Sequence, residues 1–123
     1  MRGFIVACAI ACGGCVSISG VRNEAYTREH IGSCTVTVVR SVGGRAGDSG
    51  SSIAYENGQW QVDYETIAGI RNSRVGDQVL LCLIEIPESC PPGDDRGRLY
   101  HGVNLRTHES WNALNSEHYC GGA

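Results

Sequence analysis

The sequence contains no lysine, and all ten of its basic residues are arginine. This bias is compatible with arginine-specific recognition, but a genome of biased base composition explains it more simply. Thirteen acidic residues outnumber the basic ones, so the net charge is −3 and the isoelectric point lies near 5.7. A negative balance of this kind argues against nucleic-acid binding, and we expect no nucleic-acid partner.

The sequence also lacks an apolar run long enough to cross a membrane as a helix. The apolar segment after Arg2 is far shorter than the roughly 20 residues that a membrane-spanning helix requires. No stretch has the periodicity of a long helix, and 17 glycines suit a fold with many turns. With 123 residues, 41% hydrophobic and 19% charged, the chain is expected to form one folded domain.

The first fifteen residues have the layout of an export signal. One positive charge at Arg2 precedes a short apolar segment that ends in small residues. Cys12-Gly13-Gly14-Cys15 resembles the end of a bacterial lipoprotein signal, in which small residues precede the cysteine that takes the lipid. The resemblance implies a signal segment over residues 1–14, lipidation at Cys15, a membrane partner reached through the lipid, and a polar tether over residues 15–33.

Other interpretations of the N-terminus stay open. Ala9-Ile10-Ala11 is an A-x-A cleavage site, and cleavage there would release a soluble secreted protein beginning at Cys12. Cys12 is a second candidate for the lipid. The same apolar segment also suits a buried strand or helix of a cytosolic protein.

The cysteine count favours an oxidising compartment. Removing a signal that ends at Gly14 and lipidating Cys15 leaves four cysteines, whereas cleavage after Ala11 leaves six. Both numbers are even, as expected for an exported protein with disulfides. We therefore predict two disulfides among Cys34, Cys82, Cys90 and Cys120.

Four cysteines allow three pairings. We slightly favour Cys82 with Cys90 and Cys34 with Cys120, because the residues after Ile86 suffice to return Cys90 within about 7 Å of Cys82. The rival pairing joins Cys34 to Cys82 and Cys90 to Cys120, which would cross-link the first strand to the central strand.

The central strand is predicted from the longest apolar run outside the N-terminus, Val79 to Ile86. The run does not alternate apolar with polar residues, and it lies between Gly76-Asp77 and Pro87. Such a run predicts a strand that is buried on both faces and has partner strands on either side.

Two alternating stretches, residues 35–42 and 98–107, predict half-buried strands. The predicted core-facing sets are Val36, Val38 and Val42 in the first and Leu99, Val103 and Leu105 in the second. A turn at His108-Glu109 would lead into a last strand over residues 110–114. The count of about six mostly antiparallel strands predicts an all-β fold, a small single-domain sandwich or barrel over residues 34–123.

Asn57-Gly58 predicts a hairpin with a two-residue turn, which places Tyr55 opposite Trp60 and Ile53 opposite Val62. One predicted face is the core and the other is solvated. The core face collects Ile53, Tyr55, Trp60, Val62 and Tyr64, and the solvated face collects Glu56, Gln59, Gln61, Asp63 and Glu65.

One loop resembles a protease active site and the histidines suggest a metal site, but neither interpretation is favoured. Gly47-Asp48-Ser49-Gly50 resembles the loop around the nucleophilic serine of chymotrypsin-like proteases, but the chain is too short for two barrels and no acid is placed to orient His30. The four histidines lack the paired spacings of zinc sites, so we expect no metal and no cofactor.

Arginine and aromatic residues near the C-terminus form the strongest binding candidate. If the last hairpin forms, Arg98, Tyr100 and Arg106 share a strand face and Trp111 lies opposite Arg106. This composition is typical of binding hot spots, although a solvated face with one stacked arginine is the more common outcome.

The sequence predicts a small exported β-domain, lipid-anchored to a bacterial envelope, with a non-catalytic binding or structural role. Its expected partners are the membrane and an envelope or host protein. The alternatives are a small envelope hydrolase and a soluble secreted inhibitor or toxin-like protein.

Overall fold

A computed structural model of the chain describes residues 29–44 and 49–122. The predicted signal segment, the predicted lipidation site Cys15 and most of the predicted tether therefore lie outside the described residues. Ile31–Ala123 groups into one compact unit. Among the described residues, no helix has both the length and the apolar character needed to cross a membrane.

Six strands and one short helix make up the described part of the chain. They are β1 (Cys34–Gly43), β2 (Ser51–Tyr55), β3 (Trp60–Asp63), α1 (Ala68–Arg71), β4 (Gln78–Glu85), β5 (Leu99–Asn104) and β6 (Ser110–Leu114). The strands are antiparallel and close into a barrel in the order β1-β2-β3-β6-β5-β4, with β4 pairing back onto β1. The predicted all-β fold is confirmed, and of the two predicted architectures it is the barrel.

The hydrophobic core fills the barrel interior and includes one residue of α1. Its members are Val39, Ile53, Tyr55, Ile70, Val79, Leu81, Leu83, Tyr100, Trp111 and Ala113. Closure gives every strand a neighbour on both sides, although β3 and β6 pair at Val62 and Leu114 alone.

Strand β4 has β1 and β5 as neighbours, but it is not buried on both faces as predicted. Val79, Leu81 and Leu83 point into the core, whereas Cys82 is half-buried and Ile84 is exposed on the outside. The prediction was wrong because a single-layer barrel has no second layer to cover its outer face. The apolar run therefore divides between the core and the outer surface.

The predicted core faces of β1 and β5 are also corrected. In β1 the buried residues are Thr37 and Val39, and a β-bulge between Val39 and Ser41 then shifts the alternation. As a result Val42 packs against the core, as predicted, but Val36 and Val38 do not. In β5 the inward residues are Tyr100, Gly102 and Asn104, so the predicted core set Leu99, Val103 and Leu105 lies outside.

The β2–β3 hairpin is closed by a three-residue loop, not by the predicted two-residue turn. Tyr55 N–H donates to Gln59 O (2.9 Å) and Gly58 N–H donates to Tyr55 O (3.1 Å), with Gly58 at φ +93°. This is a type I turn followed by a left-handed glycine. Ile53 consequently faces Gln61, and Ala54 faces Trp60.

This one-residue change of register reverses the predicted faces of β3, because successive side chains of a strand alternate between faces. Gln61, predicted to be solvated, is 1% exposed, whereas Trp60, predicted to be core, is 43% exposed. Tyr64 is likewise exposed. Val62 is buried, but it lies outside the core cluster.

Gly58→Val is expected to lower the free energy of unfolding by about 1–2 kcal/mol, because a side chain at Cβ disfavours the left-handed region. The open space around Gly58 means that backbone strain, not a clash, would cause the loss. Urea denaturation measures the change. Gly58→Asn is the control and should lose less, since asparagine tolerates this conformation; equal losses would contradict the turn assignment.

The β5–β6 hairpin forms, but with a four-residue loop over residues 105–108. Asn104 N–H donates to Glu109 O (2.9 Å), and His108 N–H donates back to Asn104 O (2.8 Å). His108 takes the left-handed conformation, with φ at +64°. A two-residue turn at this position would also have needed that conformation, which glycine and asparagine adopt most readily. Trp111 therefore lies opposite Gly102. The prediction that it would lie opposite Arg106 was wrong.

All four predicted cysteines form disulfides, but the pairing that we favoured is wrong. Cys34 bonds to Cys82, with a Cα–Cα distance of 4.0 Å, and Cys90 bonds to Cys120, with a distance of 5.4 Å. The rival pairing is therefore the one observed. Its cause is strand order: β1 lies beside β4, which places Cys34 directly opposite Cys82.

Candidate functional site

The structure does not gather the four predicted binding residues. Tyr100 and Trp111 are buried in the core, and Arg98 Nη2 lies 3.1 Å from Asp95 Oδ1. Arg106 forms an ion pair with Asp77. A ligand role for any of these residues stays a prediction, but the four do not share a surface, because Tyr100 and Trp111 point into the core.

Arg106 instead belongs to a polar network at one end of the barrel. Its guanidinium donates to both carboxylate oxygens of Asp77, through Nε (2.7 Å) and Nη2 (3.0 Å). Asp77 Oδ2 also accepts from Asn104 Nδ2 (2.9 Å) and from the backbone N–H of Arg74 (2.8 Å). The Arg106 hydrogen bonds hold the pKa of Asp77 well below its usual range. The network ties the β5–β6 loop to the turn before β4.

Asp77→Asn is expected to lower the free energy of unfolding by about 2 kcal/mol at neutral pH, since hydrogen bonds to a charged group are lost. The lowered pKa in the folded state means that this stabilisation is present above the unfolded pKa of about 3.9 and is lost as the pH falls further. Denaturation at several pH values should show the difference between parent and variant shrinking from about pH 5 towards pH 2.

The control for this experiment is Asp95→Asn, which removes a carboxylate that is 70% exposed and should change stability little. A parent–variant difference for Asp77→Asn that stays constant down to pH 2 would contradict the assigned role of the ion pair.

A second polar network lies inside the barrel and is centred on Gln61. Its Oε1 accepts from Tyr55 Oη–H (2.6 Å) and from Trp111 Nε1–H (2.9 Å). Its Nε2 donates to the backbone oxygens of Tyr100 (3.0 Å) and Ala113 (3.1 Å). The amide thus uses both donor hydrogens and both acceptor positions. Burial raises the pKa of Tyr55 above its ordinary value, so its hydroxyl stays a donor.

Gln61 has a structural role in this position. Strands β3 and β6 share a single paired position, Val62 with Leu114, so their backbones contribute little to holding this side of the barrel together. The Gln61 side chain joins the two strands by bonding to Ala113 and Trp111 of β6. Sequence reasoning missed this residue because the assumed hairpin register placed it in solvent.

A small cavity adjoins the same junction of β3 and β6. Its volume is about 50 Å³, and it is lined by Val62, Asp63, Tyr64, Leu114, Ser116 and Glu117. Pockets that enclose small-molecule ligands usually measure about 300–1,000 Å³. The carboxyl groups with strongly lowered pKa values, Asp77 and Asp94, are held by Arg106 and Arg96 and do not line it. This cavity therefore gives no support to the hydrolase alternative.

The outer surface of β1, β4 and β5 is unusually apolar. Val36 lies opposite Leu80, and Leu80 lies opposite Val103, so three apolar side chains form one row across three strands. Val36 is 52% exposed, and Leu80 and Val103 are half-buried. Ile84, four residues after Leu80, and Leu105, two residues after Val103, are also apolar and exposed. We call these five side chains, Val36, Leu80, Ile84, Val103 and Leu105, the outer wall.

A disulfide and two exposed charges lie next to the outer wall. The Cys34–Cys82 disulfide joins β1 to β4 two residues from the Val36–Leu80 pair. Along the strands, exposed Arg40 lies on one side of the row and exposed Glu85 on the other. Neither side chain has an ion-pair partner within residues 29–44 and 49–122. The wall is thus an apolar strip bounded by one cation and one anion.

Contiguous apolar side chains on the surface of a small domain often mark an interaction site. Polar residues would be expected on the outer face of a single-layer barrel, since the core needs only the inward half of each strand. The outer wall is therefore the best candidate site in the described part of the chain. Sequence reasoning found its residues but assigned them to the core.

No protein-family model matches this chain. Neither the curated proteins nor the solved structures contain a significant match to it. The functional argument below therefore rests on the described residues and on the sequence.

Proposed function

We propose that this protein is a small exported domain, lipid-anchored to the bacterial envelope through Cys15, that acts by binding another protein. One observation carries the binding role: the outer wall exposes Val36, Leu80 and Val103 as a row across three strands. Burying such a row against a partner is favourable by roughly 25 cal/mol for each Å² of apolar surface.

The two disulfides support the proposed location. Cys34–Cys82 and Cys90–Cys120 join all four cysteines between residues 34 and 120. Disulfides persist mainly in oxidising compartments, which include the periplasm and the cell surface. The export-type N-terminus fits the same location. A single acyl chain would hold the domain at a membrane surface without spanning the membrane.

Photo-crosslinking in the bacterial envelope tests the binding role. With p-benzoylphenylalanine in place of Val36, we expect a discrete cross-linked adduct of the full chain, and Leu80→Glu should reduce its yield several-fold by placing a charge in the contact. The same cross-linker in place of exposed Thr66, outside the wall, is the control and should give no adduct. Absence of an adduct from position 36, or an adduct that Leu80→Glu leaves unchanged, would contradict the proposal.

Membrane flotation tests the anchor. The full chain should float with membranes, and Cys15→Ser should shift it to the soluble fraction because the acylated sulfur is lost. Cys12→Ser is the matched control and should still float. Release by Cys12→Ser instead would assign the lipid to Cys12, and a parent that never floats would favour the soluble secreted protein.

A further inference from the structure

We infer that the partner of the outer wall is a second copy of this chain, related to the first by a two-fold axis through the row of Val36 and Leu80. The inference rests on the proposed function, because it names the occupant of the same wall. It depends on the placement of Arg40 and Glu85 relative to that row.

Arg40 and Glu85 lie at nearly equal distances from the row and on opposite sides of it. β1 and β4 are antiparallel, and Val36 pairs with Leu80. Arg40 follows Val36 by four residues, and Glu85 follows Leu80 by five, so the two chain directions carry them to opposite sides of the row. A β-bulge between Leu83 and Glu85 places Glu85 opposite Leu99, four residues from Val103, so at about 3.3 Å for each residue both offsets are roughly 13 Å.

A half-turn about an axis that runs along the row exchanges its two sides. Arg40 of each copy would then approach Glu85 of the other, and two equivalent ion pairs would flank the apolar centre. Arg40 is on β1 and Glu85 is on β4, so the remaining separation is about one strand spacing of 4.8 Å, which is within the reach of an arginine side chain. Self-complementarity of this kind is what a two-fold symmetric interface requires, because one patch must fit itself.

The charges at the wall differ from the three arginines of the described chain that form ion pairs. Arg96, Arg98 and Arg106 are each committed to a carboxylate of the same chain. Arg40 and Glu85 have no such ion pair within residues 29–44 and 49–122, so both are available to a partner. Their opposite signs disfavour a uniformly charged partner and favour one that carries the same two charges in reverse order.

The outer wall is also preformed and modest in size. The Cys34–Cys82 bond and the paired positions of β1 and β4 hold the row in place, so little ordering is needed on contact. Five apolar side chains suit a weak contact, and we expect a dissociation constant on the order of micromolar or weaker. Anchoring to one membrane would raise the effective concentration of the copies and favour such a contact.

Sedimentation velocity of the purified full chain, carrying Cys15→Ser to remain free of lipid, measures self-association directly. A reversible monomer–dimer equilibrium is expected. Arg40→Glu and Glu85→Arg should each weaken dimerisation by about tenfold or more, because each creates two like-charge contacts. Glu65→Arg makes the same charge change just after β3, a strand that pairs with neither β1, β4 nor β5, and should leave dimerisation unchanged.

Mixing the two variants gives the decisive result. Arg40→Glu chains repel one another, and so do Glu85→Arg chains, but one of each restores two opposite-charge contacts across the axis. The equimolar mixture should therefore dimerise about as well as the parent, as heterodimers. A head-to-tail contact would restore only one pair and could form open chains. A mixture that associates no better than either variant alone overturns the inference.

Failure of this inference can be separated from failure of the proposed function. The parent could stay monomeric at millimolar concentration while the envelope adduct has a mass other than twice that of the chain. That result overturns the inference of a second copy and keeps the proposed binding role, with a different protein as the partner. A dimer that Leu80→Glu does not weaken overturns the second copy at this wall. Absence of any adduct from position 36 overturns the binding role itself.

Discussion

Gln61→Leu is expected to lower the free energy of unfolding by about 4 kcal/mol, among the largest losses in this domain. Leucine has a similar size but cannot bond to the four groups that surround the amide. The Tyr55 hydroxyl and the Trp111 Nε1–H would stay buried without an acceptor, and each unpaired donor costs about 1–3 kcal/mol. The link between β3 and β6 through Ala113 O would also be lost.

Urea denaturation followed by tryptophan fluorescence measures this loss. Gln59→Leu is the matched control, because the Gln59 side chain accepts an exposed hydrogen bond from Asn57 Nδ2 and its loss should cost well under 1 kcal/mol. Adding Tyr55→Phe to Gln61→Leu should cost less than Tyr55→Phe alone, since the hydroxyl has already lost its partner. Strictly additive losses, or a loss below about 1 kcal/mol for Gln61→Leu, would show that the amide does not organise the interior.

Gly102→Ala is expected to lower the free energy of unfolding by about 3 kcal/mol, through overpacking of the interior. A Cβ at Gly102 would lie 2.8 Å from Cε2 and Nε1 of the Trp111 ring. The ring cannot move away, because a Cβ at Gly69 of α1 would already lie 2.6 Å from its Cε3. Trp111 is held between these two glycines, so displacing it would also break its hydrogen bond to Gln61.

Gly43→Ala is the control for this substitution. Gly43 is also in a strand, and the nearest atom to its added Cβ is 4.0 Å away, so alanine there should be neutral or slightly stabilising. Combining Gly102→Ala with Trp111→Phe should cost less than the sum of the two single losses, because the smaller ring leaves room for the methyl group. Equal stability of Gly102→Ala and Gly43→Ala would contradict the close packing of Trp111.

The sequence identified most residues of the candidate site as strand residues, but it placed them in the core and not on the outer surface of the barrel. Val36 and Val103 were identified as strand residues from alternation, and Leu80 from a continuous apolar run. The first two were assigned to the core because alternation defines two faces without saying which one is inside. Leu80 was assigned there because the run was expected to be buried on both faces. The actual inward residues of β5 include Gly102 and Asn104, whose small size or polarity gives no core signal. Gly102 is needed there to admit Trp111, which comes from another strand.

The sequence by itself determined the all-β class, the approximate positions of the strands and the four cysteines that pair. These properties depend on local patterns: alternation, turn residues and cysteine parity. Tertiary structure decided which residues of each pattern face the core and which face outward. A three-residue loop at Gly58 turned Gln61 inward and Trp60 outward, and a bulge after Val39 brought Val42 to the core. Barrel closure placed β1 beside β4, and this contact, 48 residues apart in sequence, selected the Cys34–Cys82 bond.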